Sequence, residues 1–218
     1  MQQSLTISRF SREVALALLQ IGAVTLRPQD PYTWASGIRS PMYCDNRLTL
    51  SYPPLRSRIA QWLTACVKQY GANIECIAGT ATAGIAHAAL VADRLGLPMV
   101  YVRSSAKDHG KKNLVEGRLL PDQQVVVVED TVSTGGSVIS AIQGLREEGA
   151  IVTLALSIFT YGFEETTAAF QASGVPLVAL TDFSTMVDVA AEHGYLQKED
   201  VATLLRFRED PHSYSTLR

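Results

Sequence analysis

From Ile74 to Leu180 short apolar runs alternate with stretches of helical spacing, and no other feature of the sequence restricts the fold as much. Ile74 to Ala78, Pro98 to Val102, Val125 to Val128, Ile151 to Ile158 and Leu177 to Leu180 read as strands. Between them, Ile85 to Leu95, Ser137 to Glu148 and Glu164 to Ala172 read as helices. Short apolar strands alternating with helices predict an α/β fold, a mainly parallel sheet covered on both faces. Such sheets bind ligands at the carboxyl ends of their strands.

The flanks are less regular. Phe10, Val14, Ala17, Leu18 and Ile21 keep helical spacing, with Ser8 a candidate N-cap and Gly22 a candidate stop. Leu55, Ile59, Trp62, Leu63 and Cys66 predict a second helix. From Pro28 to Pro54 the pattern dissolves into Pro, Ser, Gly, Asn and aromatics, with only short strand-like pieces such as Pro41 to Cys44. A long irregular segment in a compact domain is more often a ligand-facing loop than a tether. The polar end EDPHSYSTLR is expected to fray. Neither a repeat nor a linker divides the chain, so residues 1–218 are expected to form a single domain.

Bulk properties exclude some functions. Net charge −2 with 18% charged residues gives no global attraction to nucleic acid or membrane, so an anionic ligand must be handled locally. Cys44, Cys66 and Cys76 lack metal-ligand spacing, and their odd number suits a reducing compartment. Without a signal-like start or an apolar run near 18 residues, a soluble cytoplasmic protein is expected.

The chemistry concentrates in VVVVEDTVSTGGS, Val125 to Ser137. A buried strand ending in Glu129 and Asp130 delivers two carboxylates to the sheet edge, and Thr131 to Ser137 turns the chain into a helix N-terminus. Free backbone N–H groups there suit a phosphate monoester. Gly135 and Gly136 permit close approach, and Thr131, Ser133, Thr134 and Ser137 offer hydroxyls. The lysine of a Walker loop and the GxGxxG of a Rossmann site are both missing. Two acceptors beside a phosphate cradle suggest a ribose 5-phosphate, with Mg²⁺ nearby.

This stretch resembles the phosphoribosyl-pyrophosphate (PRPP) signature of the type I phosphoribosyltransferases. The resemblance implies that family's fold: a mainly parallel, twisted sheet flanked by helices, with an N-terminal hood over the base site. Residues 1–54 plus C-terminal elements would form the hood and 55–182 the core. It further implies that Glu129 and Asp130 hold the ribose hydroxyls while Thr131, Val132, Ser133, Thr134, Gly135, Gly136 and Ser137 hold the 5′-phosphate. Mg²⁺ is the implied cofactor, carried mainly by PRPP and not by direct protein ligands.

Three further segments resemble the orotate-using branch of the family, particularly its Gram-positive bacterial form. YTWASGIRSPMYCDNR, Tyr32 to Arg47, is similar to the motif that lies over the base. AGTATAGIAHAA, Ala78 to Ala89, resembles the pyrophosphate loop, with Gly79, Thr80, Ala81 and Thr82 at the turn; tight strand–helix packing would select the same small residues. RSSAKDHGKKNLVEG, Arg103 to Gly117, places Arg103, Lys107, His109, Lys111 and Lys112 in one turn-prone stretch. By resemblance, Arg103, Lys107 and His109 contact the diphosphate. Lys107, Asp108 and His109 make up the catalytic loop, and Lys107 and His109 enter the partner subunit's site in a homodimer. Ser133 takes the place of the hydroxyl that meets orotate. The implied reaction is displacement of pyrophosphate from PRPP by N1 of orotate, giving orotidine 5′-monophosphate in de novo UMP synthesis.

Ala35 and Ser104 stand where many relatives carry basic residues, and neither is given a role. His87 is read as a helix-face residue, His193 and His212 have no nameable partner, and Tyr161 and Phe163 are left outside the site. Two rivals remain open: a purine phosphoribosyltransferase, and a PRPP-sensing regulator that binds nucleic acid. The second would need a basic recognition helix, which the region before Gly71 lacks.

Overall fold

The computed structural model describes residues 6–34, 37–104 and 114–214. The readings of Ala35, Lys107, Asp108, His109, Lys111 and Lys112 lie outside the described residues. Strand β1 (Thr6–Ile7) and helix α1 (Ser11–Gln20) come first, then four short strands: β2 (Val24–Leu26), β3 (Tyr32–Thr33), β4 (Arg39–Ser40) and β5 (Met42–Cys44). A 3-10 helix, Asn46–Ser51, leads into α2 (Pro53–Tyr70), whose opening prolines suit a first turn that needs no N–H. Next are β6 (Cys76–Thr80), α3 (Ala83–Leu95), β7 (Met99–Val102), β8 (Val115–Glu116), β9 (Gln124–Val132) and α4 (Gly136–Glu147). The chain continues through β10 (Ile151–Thr160), α5 (Glu164–Ser173), β11 (Leu177–Asp182), α6 (Phe183–Glu192), α7 (Val201–Glu209) and α8 (Pro211–Tyr214).

Seven strands form the main sheet in the order β1-β11-β10-β9-β6-β7-β8, all parallel except β8, which runs antiparallel to β7. From β9 the connections run outward through β10 to β11, whereas β6 is followed on its other side by β7. The order therefore reverses between β6 and β9, and this switch point leaves a crevice at their carboxyl ends. The small pairs β2–β5 and β3–β4 are antiparallel and lie outside the main sheet.

The four valines explain why β9 is central. Val125 and Val127 belong to the core on the α4 face, with Val138, Ile142 and Leu145, while Val126 and Val128 belong to the core on the other face, where α3 covers β9. Successive side chains of a strand point to opposite faces, so a strand covered on both sides reads as continuous apolar sequence. All four valines are fully buried. The alternation carries past them, which directs Glu129 toward the α4 side and Asp130 toward the other.

Two expectations need correcting. Ser8 does not cap α1, which begins at Ser11 after Phe10; its hydroxyl instead donates to the Leu180 carbonyl at 2.9 Å, tying the chain start to β11. The segment expected to fray is helical through Tyr214, because Tyr214 packs edge-on against Phe207 at 5.4 Å. Helices α6 and α7 were not foreseen. Asp182 is both the last residue of β11 and the N-cap of α6, accepting from the Thr185 N–H at 2.8 Å, so no turn residues announce the change. Among the described residues no helix is long and apolar enough to cross a membrane.

Candidate active site at the carboxyl edge of the sheet

The acidic pair sits where β9 leaves the sheet. Glu129 is 6% exposed, and its carboxylate accepts from the Asp130 N–H at 3.0 Å and the Ser137 hydroxyl at 3.3 Å. Burial pushes its pKa up to about 8; hydrogen bonding to Thr80 opposes the shift and the neighbouring Asp130 charge adds to it. Asp130 is half-buried. Gly135 then takes a left-handed conformation, φ +86°, which lets the loop turn directly into α4. No side chain caps α4, so its first-turn amides face the loop as donors. Thr166 of α5 donates to the Ser133 carbonyl and pins the loop from behind.

Across the switch point, the turn after β6 lies against Glu129. Thr80 is buried and donates to the Val128 carbonyl at 3.2 Å, while the Ala81 N–H donates to the Val102 carbonyl at 2.8 Å. The peptide between Ala81 and Thr82 is cis. Small residues are demanded here: a Cβ on Gly84 would sit 2.4 Å from the Val128 carbonyl oxygen, and one on Gly79 would sit 2.8 Å from the Ile85 Cα. The packing explanation for these residues is therefore sufficient, and it also brings the N-terminus of α3 close to the acidic pair.

A cavity of about 320 Å³ opens beside the phosphate loop, walled by Trp34, Tyr43, Cys44, Thr131, Ser133 and Tyr161. Trp34 meets the Tyr161 ring edge-on at 5.1 Å, and Tyr161 stacks on Phe163 at 5.4 Å. A flat heterocycle fits such walls. Burial, reinforced by Asp130, holds the Cys44 thiol far above its usual range, and burial does the same for the Tyr161 hydroxyl. Both groups are thus neutral. A larger cavity of about 600 Å³ between Pro28, Arg39, Arg206 and Tyr214 contains none of the predicted site residues, so size alone does not locate the chemistry.

Arg103 follows β7, and its N–H donates to the Leu114 carbonyl at 2.9 Å. Its guanidinium is 3.7 Å from Glu116 across the β7–β8 pair. The structure thus gathers Thr80, Ala81, Arg103, Glu129, Asp130 and Thr131 to Ser137 at one sheet edge. Sequence reading missed Trp34, Tyr43, Cys44 and Tyr161 as individual wall residues. Trp34, Tyr43 and Cys44 fall within the Tyr32 to Arg47 stretch read as lying over the base, whereas Tyr161 was left out, because it joins the cavity only when segments distant in sequence converge.

The chain is similar to known proteins over most of its length. The Phosphoribosyl transferase domain family matches residues 50–164. An orotate phosphoribosyltransferase of Enterococcus faecalis (strain OG1RF) is 50% identical over 208 residues, 95% of this chain and 99% of that protein. One from Bacillus pumilus is 53% identical over 203 residues, 93% of this chain and 96% of that protein. The crystal structure of orotate phosphoribosyltransferase from Aeropyrum pernix superposes with a TM-score of 0.72 at 33% identity, covering 84% of this chain and 99% of that one. With the fold, the acidic strand end and the phosphate loop in place, these similarities lead to one conclusion: the chain belongs to the phosphoribosyltransferase family, among the orotate phosphoribosyltransferases.

Proposed function

We propose that the protein transfers the 5-phosphoribosyl group of PRPP to N1 of orotate, releasing pyrophosphate and orotidine 5′-monophosphate for de novo UMP synthesis. The observation that carries this reading is the meeting, at Thr131 and Ser133, of an uncapped helix start, an acidic pair and an aromatic cavity. In this reading Glu129 and Asp130 accept from the ribose hydroxyls, and Thr131, Val132, Ser133, Thr134, Gly135, Gly136 and Ser137 surround the 5′-phosphate. Thr80, Ala81 and Arg103 face the diphosphate. Ser133 donates to orotate, whose ring lies between Trp34, Tyr43 and Tyr161.

Displacement at C1′ passes through a cation-like sugar, so no covalent nucleophile is required. What the chain supplies is alignment of the two substrates, negative charge beneath the sugar and positive charge around the leaving group. Lys107 and His109 supply that positive charge, with Asp108 beside them, as the resemblance implies. They act in the partner's site of a homodimer. Mg²⁺ would be carried mainly on the oxygens of PRPP, with Glu129 and Asp130 near it and not as direct ligands, and it would supply neutralisation of the diphosphate charge. We read the chain as one domain, with the hood before α2 and the C-terminal helices covering the base. We place it in the cytoplasm, where the free thiols Cys44, Cys66 and Cys76 are stable.

The test is a substrate panel. Orotate absorbance should fall when PRPP and Mg²⁺ are added, while adenine and hypoxanthine remain unchanged. Consumption of a purine with orotate untouched would overturn the reading.

A further inference from the structure

Asn46 lies in the CDNR end of the Tyr32 to Arg47 stretch that resembles the base motif, without a role of its own. It is fully buried at the start of the 3-10 helix. Its Nδ2 donates to the Asp130 carbonyl at 2.9 Å and to the Thr131 Oγ1 at 2.9 Å. A backbone carbonyl only accepts, so the amide nitrogen must be the atom that faces β9. Thr131 Oγ1, already accepting from Asn46, directs its own proton to Asp130 Oδ2 at 3.3 Å. The hydrogen bonds therefore run one way, from the hood to the acidic pair.

Asn46 is itself held firmly. Asp45 accepts from the Arg47 backbone N–H at 3.2 Å and from both sides of its guanidinium, at 2.6 and 2.8 Å, and the Asp45 N–H donates to the Ala23 carbonyl at 2.7 Å. Meanwhile the Asn46 Oδ1 is buried without a hydrogen-bond partner among the described residues. An unmatched buried acceptor is unfavourable, so packing alone would favour an apolar side chain here. What asparagine contributes is its pair of donors. From this geometry we infer that Asn46 is a positioning residue for PRPP: through Thr131 it fixes the Asp130 carboxylate with Oδ1 turned toward the ribose hydroxyls.

The inference rests on reading Asp130 as a ribose acceptor, and the test separates the two. Steady-state kinetics of Asn46→Ala in the full chain should show the PRPP KM raised about tenfold, with the orotate KM within twofold of the parent. In the Thr131→Val background the same change should have little further effect on the PRPP KM, because the relay is already cut. Thr131→Ser, which keeps the hydroxyl, should lose less PRPP affinity than Thr131→Val and provides a reading even if Asn46→Ala folds poorly. An unchanged PRPP KM in Asn46→Ala, a full multiplicative effect in the double variant, or equal losses in Thr131→Ser and Thr131→Val would overturn the positioning role. Asp130→Asn is the control for the underlying reading: if it leaves PRPP use untouched, the ribose assignment fails whatever Asn46 does.

Discussion

Replacing Gly84 with alanine tests how α3 is seated against the acidic strand end. The added methyl would lie 2.4 Å from the Val128 carbonyl oxygen, 2.6 Å from the Thr80 hydroxyl and 3.2 Å from the Glu129 Cα. Relief requires the helix to retreat by about 1 Å, because ordinary van der Waals contact begins near 3.4 Å. The carbonyl cannot yield, since β9 is hydrogen-bonded between β6 and β10. Overpacking of this kind costs about 1–3 kcal/mol, and alanine's better helix propensity returns about 1 kcal/mol, leaving a net loss of up to about 2 kcal/mol. For a chain of this size that is a Tm lower by up to about 8 °C. Retreat would also break the Thr80 to Val128 bond and disturb Glu129, so kcat/KM for PRPP should fall about tenfold. Thermal melts and initial rates measure both effects. Gly136→Ala provides the contrast in stability, because its Cβ would meet nothing closer than 4.0 Å. Gly84→Ala with undiminished Tm and unchanged PRPP kinetics would refute the packing described.

Three further outcomes follow from the buried titrating groups. Burial holds His87 down to about 4 from 6.5, against a smaller opposing pull from Asp130, so the unfolded chain takes up the proton first as pH falls. The contribution to stability is present above pH 6.5 and lost toward pH 4, by up to about 3 kcal/mol, and denaturant titrations should show His87→Leu free of that loss; matching curves for the two proteins would contradict it. Glu129 shifts the other way: raised from 4.5 to about 8, it keeps its proton in the fold, so stability is full below pH 4.5 and declines as pH rises through 8. Glu129→Gln should therefore gain Tm on the parent between pH 5 and 9, and a constant difference would contradict that. Cys44 borders the cavity yet stays protonated, so alkylation by iodoacetamide at pH 8, followed by mass spectrometry, should be at least ~10-fold slower than for a free thiol. Rapid labelling would show that the thiol is not held protonated as described.

The sheet was legible because its strands carry their burial in their composition. Val125 to Val128 could be covered only on both faces, and the helix read from Ser137 to Glu148 lies within one residue of α4 at each end. The acidic strand end and the turn from Thr131 into α4 were legible for a related reason, being contiguous in sequence. The hood was not: Val24 pairs with Cys44 and Leu26 with Met42 across an irregular stretch without a tight hairpin turn. Nor was α6, although Phe183, Met186, Val187 and Ala190 carry a helical stripe, because β11 passes into it at Asp182 without an intervening loop. Tyr32 to Arg47 was read as lying over the base, but the place of Tyr161 in the cavity wall and the contacts of Asn46 lay beyond sequence reasoning, since both depend on contacts between segments more than 80 residues apart.

The most direct measurement is a crystal structure of the protein with orotidine 5′-monophosphate. The account predicts the phosphate on the first-turn amides of α4, the ribose hydroxyls on Glu129 and Asp130, and the base between Trp34, Tyr43 and Tyr161. A nucleotide seated in the wider cleft by Arg39 and Arg206, with the end of β9 left bare, would contradict it.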